Sequence, residues 1–292
     1  MESLLATAAA RRPLPQGGII LAATPLGNPL DASVRLIDAL GSADVIAAED
    51  TRRTRALADA LGIQIQALVL SNFDHNENDR ASQLVNFARE GKRVLVVTDA
   101  GMPSVSDPGF PVVQAAYEAS VPVTCLPGPS AVPTSLALSG LGVGKFAFVG
   151  FAPRKDGARR TFFSTFLDAA HATCFFESPH RLADTLGIAA EVMGGDRPAA
   201  VCRELTKRFE EVKRGTLGEL AEWAAEGVKG EISVVIEGCN EAIVVDPEQL
   251  VDQVEAKVAD GQRLKDACGE VAQQTGASKR ELYEAVLAQR NG

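Results

Sequence analysis

Two loops hold most of the residues in the first half of the chain that could do chemistry. One is Thr24-Pro25-Leu26-Gly27-Asn28-Pro29, and the other is Thr98-Asp99-Ala100-Gly101-Met102-Pro103-Ser104-Val105-Ser106-Asp107-Pro108-Gly109. Small and cyclic residues let a ligand lie close to the backbone, but a phosphate site needs free amides at a helix start and often a lysine. The second loop offers carboxylates instead. Neither GxGxxG nor GxxxxGK[ST] is present: in GLGVGKF (140–146), Ser139 stands where the first glycine is needed and Phe146 where the hydroxyl is needed. That argues against dinucleotides and nucleoside triphosphates. Carboxylates in a Gly/Pro-rich pocket suit a ligand with cationic and hydroxyl groups, such as S-adenosylmethionine with its ammonium, sulfonium and ribose. Asp99, at a strand tip, is read as a ligand contact, and Asp107, before Pro-Gly, as a cap of the turn and following helix.

Basic residues gather in four places. Ala48-Glu49-Asp50-Thr51-Arg52-Arg53-Thr54-Arg55 crowds opposite charges into a strand-to-helix junction, where Asp50 or Thr51 can cap the helix and Arg52 and Arg53 can meet substrate. Arg154-Lys155-Asp156-Gly157-Ala158-Arg159-Arg160 sets four cations against one carboxylate. Arg203, Lys207, Arg208, Lys213 and Arg214 form a third cluster. In Phe175-Phe176-Glu177-Ser178-Pro179-His180-Arg181, a strand tip, a carboxylate and two RNA-donor candidates come together. The whole chain carries 29 Lys and Arg against 38 Asp and Glu, a net charge of −9, so its bulk field repels polyanions. Nucleic acid must therefore be held by a local patch, for which the Arg154–Arg160 loop is a phosphate-contact candidate. The three histidines, His75, His171 and His180, have no metal-ligand spacing, and no metal site is expected.

These residues need a scaffold, and the chain supplies it as alternating short apolar runs and amphipathic stretches. The runs GIILAA (18–23), DVIAAE (44–49), QALVL (66–70), RVLVVT (93–98) and PVTCLP (122–127) are mostly apolar throughout, as strands buried on both faces are. Helices are predicted near 31–40, 52–61, 79–90 and 109–119, giving βαβα order and a parallel α/β domain. After the turn-rich PGPSAVP (127–133), looser strand runs at 145–151, 173–177, 199–204, 209–215 and 231–238 predict a second, mixed α/β domain. Past Asp246-Pro247 three helical stretches follow, near 247–259, 263–274 and 278–289. The last opens on Ser278-Lys-Arg-Glu281, a capping-box pattern, and the last two are joined by a turn at Gly276. A small helix-turn-helix and a plain αα-hairpin both fit this spacing.

The expected organisation is a mobile extension (1–16), α/β domains over 17–127 and 128–240 with a cofactor cleft between them, and a helical accessory domain over 246–292. A length of 292 residues fits more than one domain, and 46% hydrophobic with 23% charged residues excludes a disordered or fibrous chain. No apolar run is long enough to span a membrane. The five cysteines form no CxxC pair, so reduced thiols and a cytoplasmic setting are expected.

The motifs TPLGN (24–28), AAEDTRRT (47–54), TDAGMPSVSDPG (98–109), PGPSA (127–131), FVGFAPRK (148–155), FFESPHR (175–181) and CRELTKRFEEVKRG (202–215) together resemble the tetrapyrrole-methylase superfamily. Within it they resemble the branch of bacterial 16S ribosomal RNA cytidine 2′-O-methyltransferases, over residues 17–240 and into the helical segment. The resemblance implies a class III methyltransferase, usually a homodimer, acting on 16S RNA of the small ribosomal subunit. It places S-adenosylmethionine on Thr24, Pro25, Gly27, Asn28, Asp99, Gly101, Ser104, Val105, Ser130, Phe176 and Glu177. TPLGN replaces the glycine-rich first loop of the wider superfamily, which points away from porphyrin and corrin substrates. Asp50 and Glu177 are the candidate general bases. Candidate RNA contacts are Arg52, Arg53, Arg154, Lys155, Arg159, Arg160, His180, Arg181, Lys207 and Arg208. A small-molecule tetrapyrrole methyltransferase and a noncatalytic RNA-binding protein are the rival readings.

Overall fold

A computed structural model describes residues 13–73, 77–239, 247–275 and 277–291. Residues 1–12 of the predicted extension, His75 and the Gly276 turn lie outside the described residues.

The first sheet holds β1 (Gly18–Ala22), β2 (Val45–Ala48), β3 (Leu68–Ser71), β4 (Arg93–Val97) and β5 (Val123–Leu126), all parallel, in the order β3-β2-β4-β1-β5. Its central strands are apolar because both faces are covered. Leu36, Ala39 and Leu40 of α1 (Val34–Ser42) pack on one face with Leu57 of α2 (Thr51–Ala60). On the other lie Leu84 and Val85 of α3 (Glu77–Arg89) with Val112 and Ala116 of α4 (Phe110–Glu118). Every strand therefore delivers a loop to the same carboxyl edge, where ligands of open α/β sheets collect.

The second sheet is mixed, as its looser spacing predicts. β6 (Phe146–Phe151) runs parallel to β7 (Ala172–Glu177), whereas β8 (Pro198–Arg203), β9 (Glu211–Thr216) and β10 (Ile232–Ile236) complete antiparallel ladders in the order β6-β7-β10-β8-β9. One face packs on α6 (Asp156–Ser164), α7 (Leu182–Met193) and α8 (Leu217–Ala225) through Phe163, Leu186 and Leu220. A full capping box starts α8: the Glu219 amide donates to Thr216 Oγ1 and the Thr216 amide to Glu219 Oε2. The other face is covered by α5 (Ala131–Ser139), which begins inside the PGPSAVP segment read as a turn. Pro133 falls in the first turn of α5, where an amide hydrogen has no helical partner to lose.

The two sheets share one compact unit, and residues from Gly238 onward form another together with Asp168–Ala170. In the latter, α9 (Val251–Ala259), α10 (Leu264–Thr275) and α11 (Lys279–Asn291) enclose Val254, Ala267, Cys268, Val271, Leu282 and Val286. The Glu281 amide donates to Ser278 Oγ at 3.4 Å, one half of the predicted capping box. Three cations here are matched by carboxylates: Lys257 by Glu270, Arg280 by Glu284 and Arg290 by Glu255. No helix among the described residues is long and apolar enough to cross a membrane.

All five cysteines are free. Burial pushes the Cys174 thiol up to about 11 and the Cys202 thiol up to about 12, which removes the nucleophilic thiolate near neutrality. Iodoacetamide at pH 8 is expected to modify exposed Cys125 and to reach Cys174 and Cys202 only after denaturant is added. Peptide mass mapping checks this, and native labelling of Cys202 would contradict its burial in β8.

Candidate active site

A cavity of about 400 Å³ opens where the carboxyl edge of the first sheet faces the second sheet. Its first-sheet wall comprises Leu26, Glu49, Arg53 and the loop after β4 from Asp99 to Met102, with Val105 and Asp107. Ser130 and Ala131 line it at the start of α5, and Phe151, Phe176, Glu177, Ser178 and Pro179 at the tips of β6 and β7. Leu205 and the segment Gly230–Ser233 close the remaining side.

Asp99 is fixed from three directions. Its Oδ1 accepts from the Asp50 amide at 3.0 Å, its Oδ2 pairs with Arg53 Nη1 at 2.9 Å, and its own amide donates to Glu49 Oε2 at 3.0 Å. A carboxylate held in this way presents a fixed acceptor to the cavity. Asp107, read as a turn cap, lines the cavity as well, while Gly109 takes the N-cap position of α4. Ser104 does not line it; this serine and Ser106 have φ of 70° and 62°, which turns the loop tightly enough to bring Val105 inward.

Of the first loop, only Leu26 reaches the cavity. Thr24 is buried, donates its hydroxyl to the Thr98 carbonyl at 3.1 Å, and exchanges backbone hydrogen bonds with Gly101 at 2.9 and 3.0 Å. Thr24, with buried Pro25 behind it, thus braces the second loop. Asn28 Oδ1 accepts from the Leu30 amide, and the Asn28 amide donates to Thr206 Oγ1 at 3.2 Å. Gly27 is needed for close approach, since a Cβ there would lie 2.2 Å from Lys207 Cγ.

In the second sheet, the Phe176 ring packs against Phe148 and Phe151 at centroid distances of 4.9 and 5.6 Å. Glu177 is buried: its Oε1 accepts from the Ser178 amide at 2.7 Å, and its Oε2 from Thr185 Oγ1 at 2.6 Å and Arg181 Nη2 at 2.9 Å.

Two further sequence expectations change, for Asp50 and Arg159. Asp50 lies outside the cavity lining and caps α2, accepting from the Arg52 amide at 2.8 Å. Hydrogen bonding from the Arg52 side chain holds its carboxyl well below the usual range, which makes it a poor proton acceptor. Arg159, grouped with the RNA contacts, is only 4% exposed; its guanidinium donates to Thr185 Oγ1 at 2.9 Å and pairs with Asp156 at 2.6 Å. It is a structural cation, because the helical period of α6 turns position 159 toward the core and 160 outward.

The other basic candidates divide by environment. Arg52, Arg53, Arg154, Lys155, Arg160, His180 and Arg208 are exposed, with Arg52 paired to Asp50, Arg160 to Glu191 and Arg208 lying over the Phe209 ring. Arg53 is tied to Asp99, Arg181 to Glu177, and Lys207 to Glu204 and Glu231. The sequence reading missed Leu205 and the Gly230–Ser233 wall. The signal at 230 was a lone glycine before a β-run, and Leu205 is presented by non-glycine residues, Glu204 and Thr206, with φ of 51° and 63°.

Fold and cleft together define a methylase: residues 18–221 match the family model described as Tetrapyrrole (Corrin/Porphyrin) Methylases, and residues 244–290 match the RsmI C-terminal HTH domain. Solved structures with the same fold include the methyltransferase CobJ (18% identity, TM-score 0.60, 76% of this chain and 95% of that chain). Another is uroporphyrin-III C-methyltransferase from Thermus thermophilus complexed with S-adenyl homocysteine (18% identity, TM-score 0.53, 75% of this chain and 96% of that one). Ribosomal RNA small subunit methyltransferase I of Mycobacterium tuberculosis (strain ATCC 25618 / H37Rv) is 54% identical over 94% of this chain and 96% of the relative. The protein of that name from Escherichia coli O157:H7 is 35% identical over 94% of this chain and 96% of its own length. The chain belongs to the tetrapyrrole methylase family, in its ribosomal RNA small subunit methyltransferase I group.

Proposed function

We propose that this methyltransferase uses S-adenosylmethionine to methylate the ribose 2′-hydroxyl of a cytidine in 16S RNA of the small ribosomal subunit. The observation that carries the reading is the cavity's lining, which gathers the carboxylate residues Glu49, Asp99, Asp107 and Glu231 with Phe151 and Phe176. Carboxylates accept from ammonium and ribose hydroxyls, aromatic faces suit a flat base and a sulfonium, and about 400 Å³ is an ordinary size for a small-ligand site. The structural neighbour named with S-adenyl homocysteine supports the cofactor, and the names of the relatives support the RNA substrate.

Bound there, the cofactor supplies an electrophilic methyl group. Asp99, Gly101, Val105, Ser130, Phe176 and Glu177 are assigned to holding it, with Thr24 and Pro25 bracing the loop and Gly27 and Asn28 keeping that brace against the 204–207 segment. The chain's contribution is then placement of the ribose hydroxyl in line with the methyl carbon and exclusion of water. Neither Asp50 nor Glu177 is assigned the role of base, since one is a helix cap and the other already accepts three hydrogen bonds. Arg52, Arg154, Lys155, Arg160, His180 and Arg208 form the exposed set for RNA phosphates. The free thiols support a cytoplasmic setting, and exposed Phe110 and Tyr117, one face of α4, support a homodimer.

The test supplies methyl-labelled S-adenosylmethionine with bare small subunits, naked 16S RNA or porphyrin precursors, and maps the product by mass. Label on a cytidine ribose is expected. Label on a base, or only on the porphyrin, would overturn the reading.

A further inference from the structure

We propose that Arg159 and Thr185 are positioning residues that set the cofactor wall and the RNA-facing loop as one unit, a role that rests on the function proposed above. The cavity's Glu177 and the loop between β6 and α6, which exposes Arg154 and Lys155, share a buried polar chain. Thr185, fully buried on α7, gives its hydroxyl hydrogen to Glu177 Oε2 at 2.6 Å and accepts from Arg159 Nη1 at 2.9 Å. That direction is forced, because a guanidinium only donates and the threonine must spend its single hydrogen on the carboxylate. Arg159 Nη2 continues to Asp156 Oδ1 at 2.6 Å and to the Arg154 carbonyl at 3.5 Å.

A second branch converges on the same loop. Arg181 Nη2 donates to Glu177 Oε2 at 2.9 Å and to the carbonyls of Ala152 and Pro153 at 2.6 and 3.2 Å. Three successive carbonyls, at Ala152, Pro153 and Arg154, are therefore drawn inward onto two guanidiniums. The side chains of Arg154 and Lys155 are left in solvent. Glu177 is the hub: its fully buried carboxylate lies beneath the strand tip that lines the cavity and, through Thr185 and Arg181, fixes the backbone that aims the two cations. Neither Arg159 nor Thr185 lines the cavity, and both are buried away from any polyanion.

The distinguishing consequence is that one buried methyl-for-hydroxyl exchange should disturb two separate ligands. Thr185→Val is expected to raise the S-adenosylmethionine dissociation constant about fivefold, less than the roughly 10- to 100-fold of a direct hydrogen bond lost to a charged group, because Thr185 acts on the cofactor only through Glu177. It should also flatten the logarithmic salt dependence of naked 16S RNA binding by roughly 0.7 to 1.8, one or two phosphate contacts. Thr185→Ser, which keeps the hydroxyl, should restore both. Arg159→Lys keeps the charge but loses the guanidinium fork, should shift both readouts in the same directions, and serves if Thr185→Val does not fold. A purely structural role would lower the melting temperature and leave both binding readouts at wild-type values in folded protein, which would overturn the proposal. A shift in one ligand alone would overturn the link between them. Wild-type protein that binds no S-adenosylmethionine would instead overturn the proposed function itself.

Discussion

Replacing Asp99 with alanine is expected to weaken S-adenosylmethionine binding by roughly 10- to 100-fold, the range for losing a hydrogen bond to an ionised acceptor. Both carboxylate oxygens are already oriented, by the Asp50 amide and by Arg53, so the acceptor is offered with little ordering left to do on binding. The substitution also releases the Arg53 guanidinium into the cavity proposed above for a ligand with cationic groups, and repulsion adds to the lost contact. Asp99→Asn separates these contributions, because its side-chain oxygen can still accept from the Asp50 amide while the charge is gone. Titration calorimetry on protein of unchanged melting temperature is the measurement. A wild-type dissociation constant for Asp99→Ala would remove Asp99 from the site.

Gly230→Val should be the most damaging single change in the cavity wall, lowering stability by about 2–4 kcal/mol. Gly230 has φ of 100°, and a Cβ there would sit 2.4 Å from Glu204 Cγ. Glu204 cannot simply swing away, since its Oε1 accepts from the Glu231 amide and Lys207 Nζ, both at 3.0 Å. Gly227 provides the control: its φ is 97°, but nothing lies within 4 Å of a Cβ, so Gly227→Val carries the backbone strain without the collision. Thermal melts of both variants measure the difference. Equal melting temperatures would mean that the 204–207 segment yields freely and is no fixed wall.

The first sheet was legible because burial on both faces writes itself as uninterrupted apolar runs, from Ile19 and Ile20 to the Val94–Val97 stretch. Asp99 could be singled out for a related reason, since it stands at the tip of such a run, whereas Ser130, Phe176 and Glu177 were named as cofactor contacts through the family resemblance; all four line the cavity. Arg159 could not be placed from the sequence. Its neighbours Arg154, Lys155 and Arg160 are exposed, and only the helical phase of α6, together with Thr185 twenty-six positions away, makes it a buried cation. The Glu204–Lys207 wall was hidden for another reason: left-handed backbone at Glu204 and Thr206 comes from tertiary hydrogen bonds, and neither residue type announces it. Pro133 misled in the opposite direction, marking a turn where α5 had already begun.

The order β3-β2-β4-β1-β5 has a consequence for how the chain is made. β1 is the first strand of the sheet to leave the ribosome, yet its neighbours are β4, with Gly18 opposite Arg93, and β5, with Ile19 opposite Val123. At about 5–20 residues per second, some 4–15 s of synthesis separate Gly18 from its first partner. Through that interval Gly18–Ala22 is an apolar strand with both edges open, the kind of segment that pairs with other nascent chains or is held by a chaperone. Among the strands of the first sheet, the one whose following loop braces the cavity wall thus waits longest for a place in the fold.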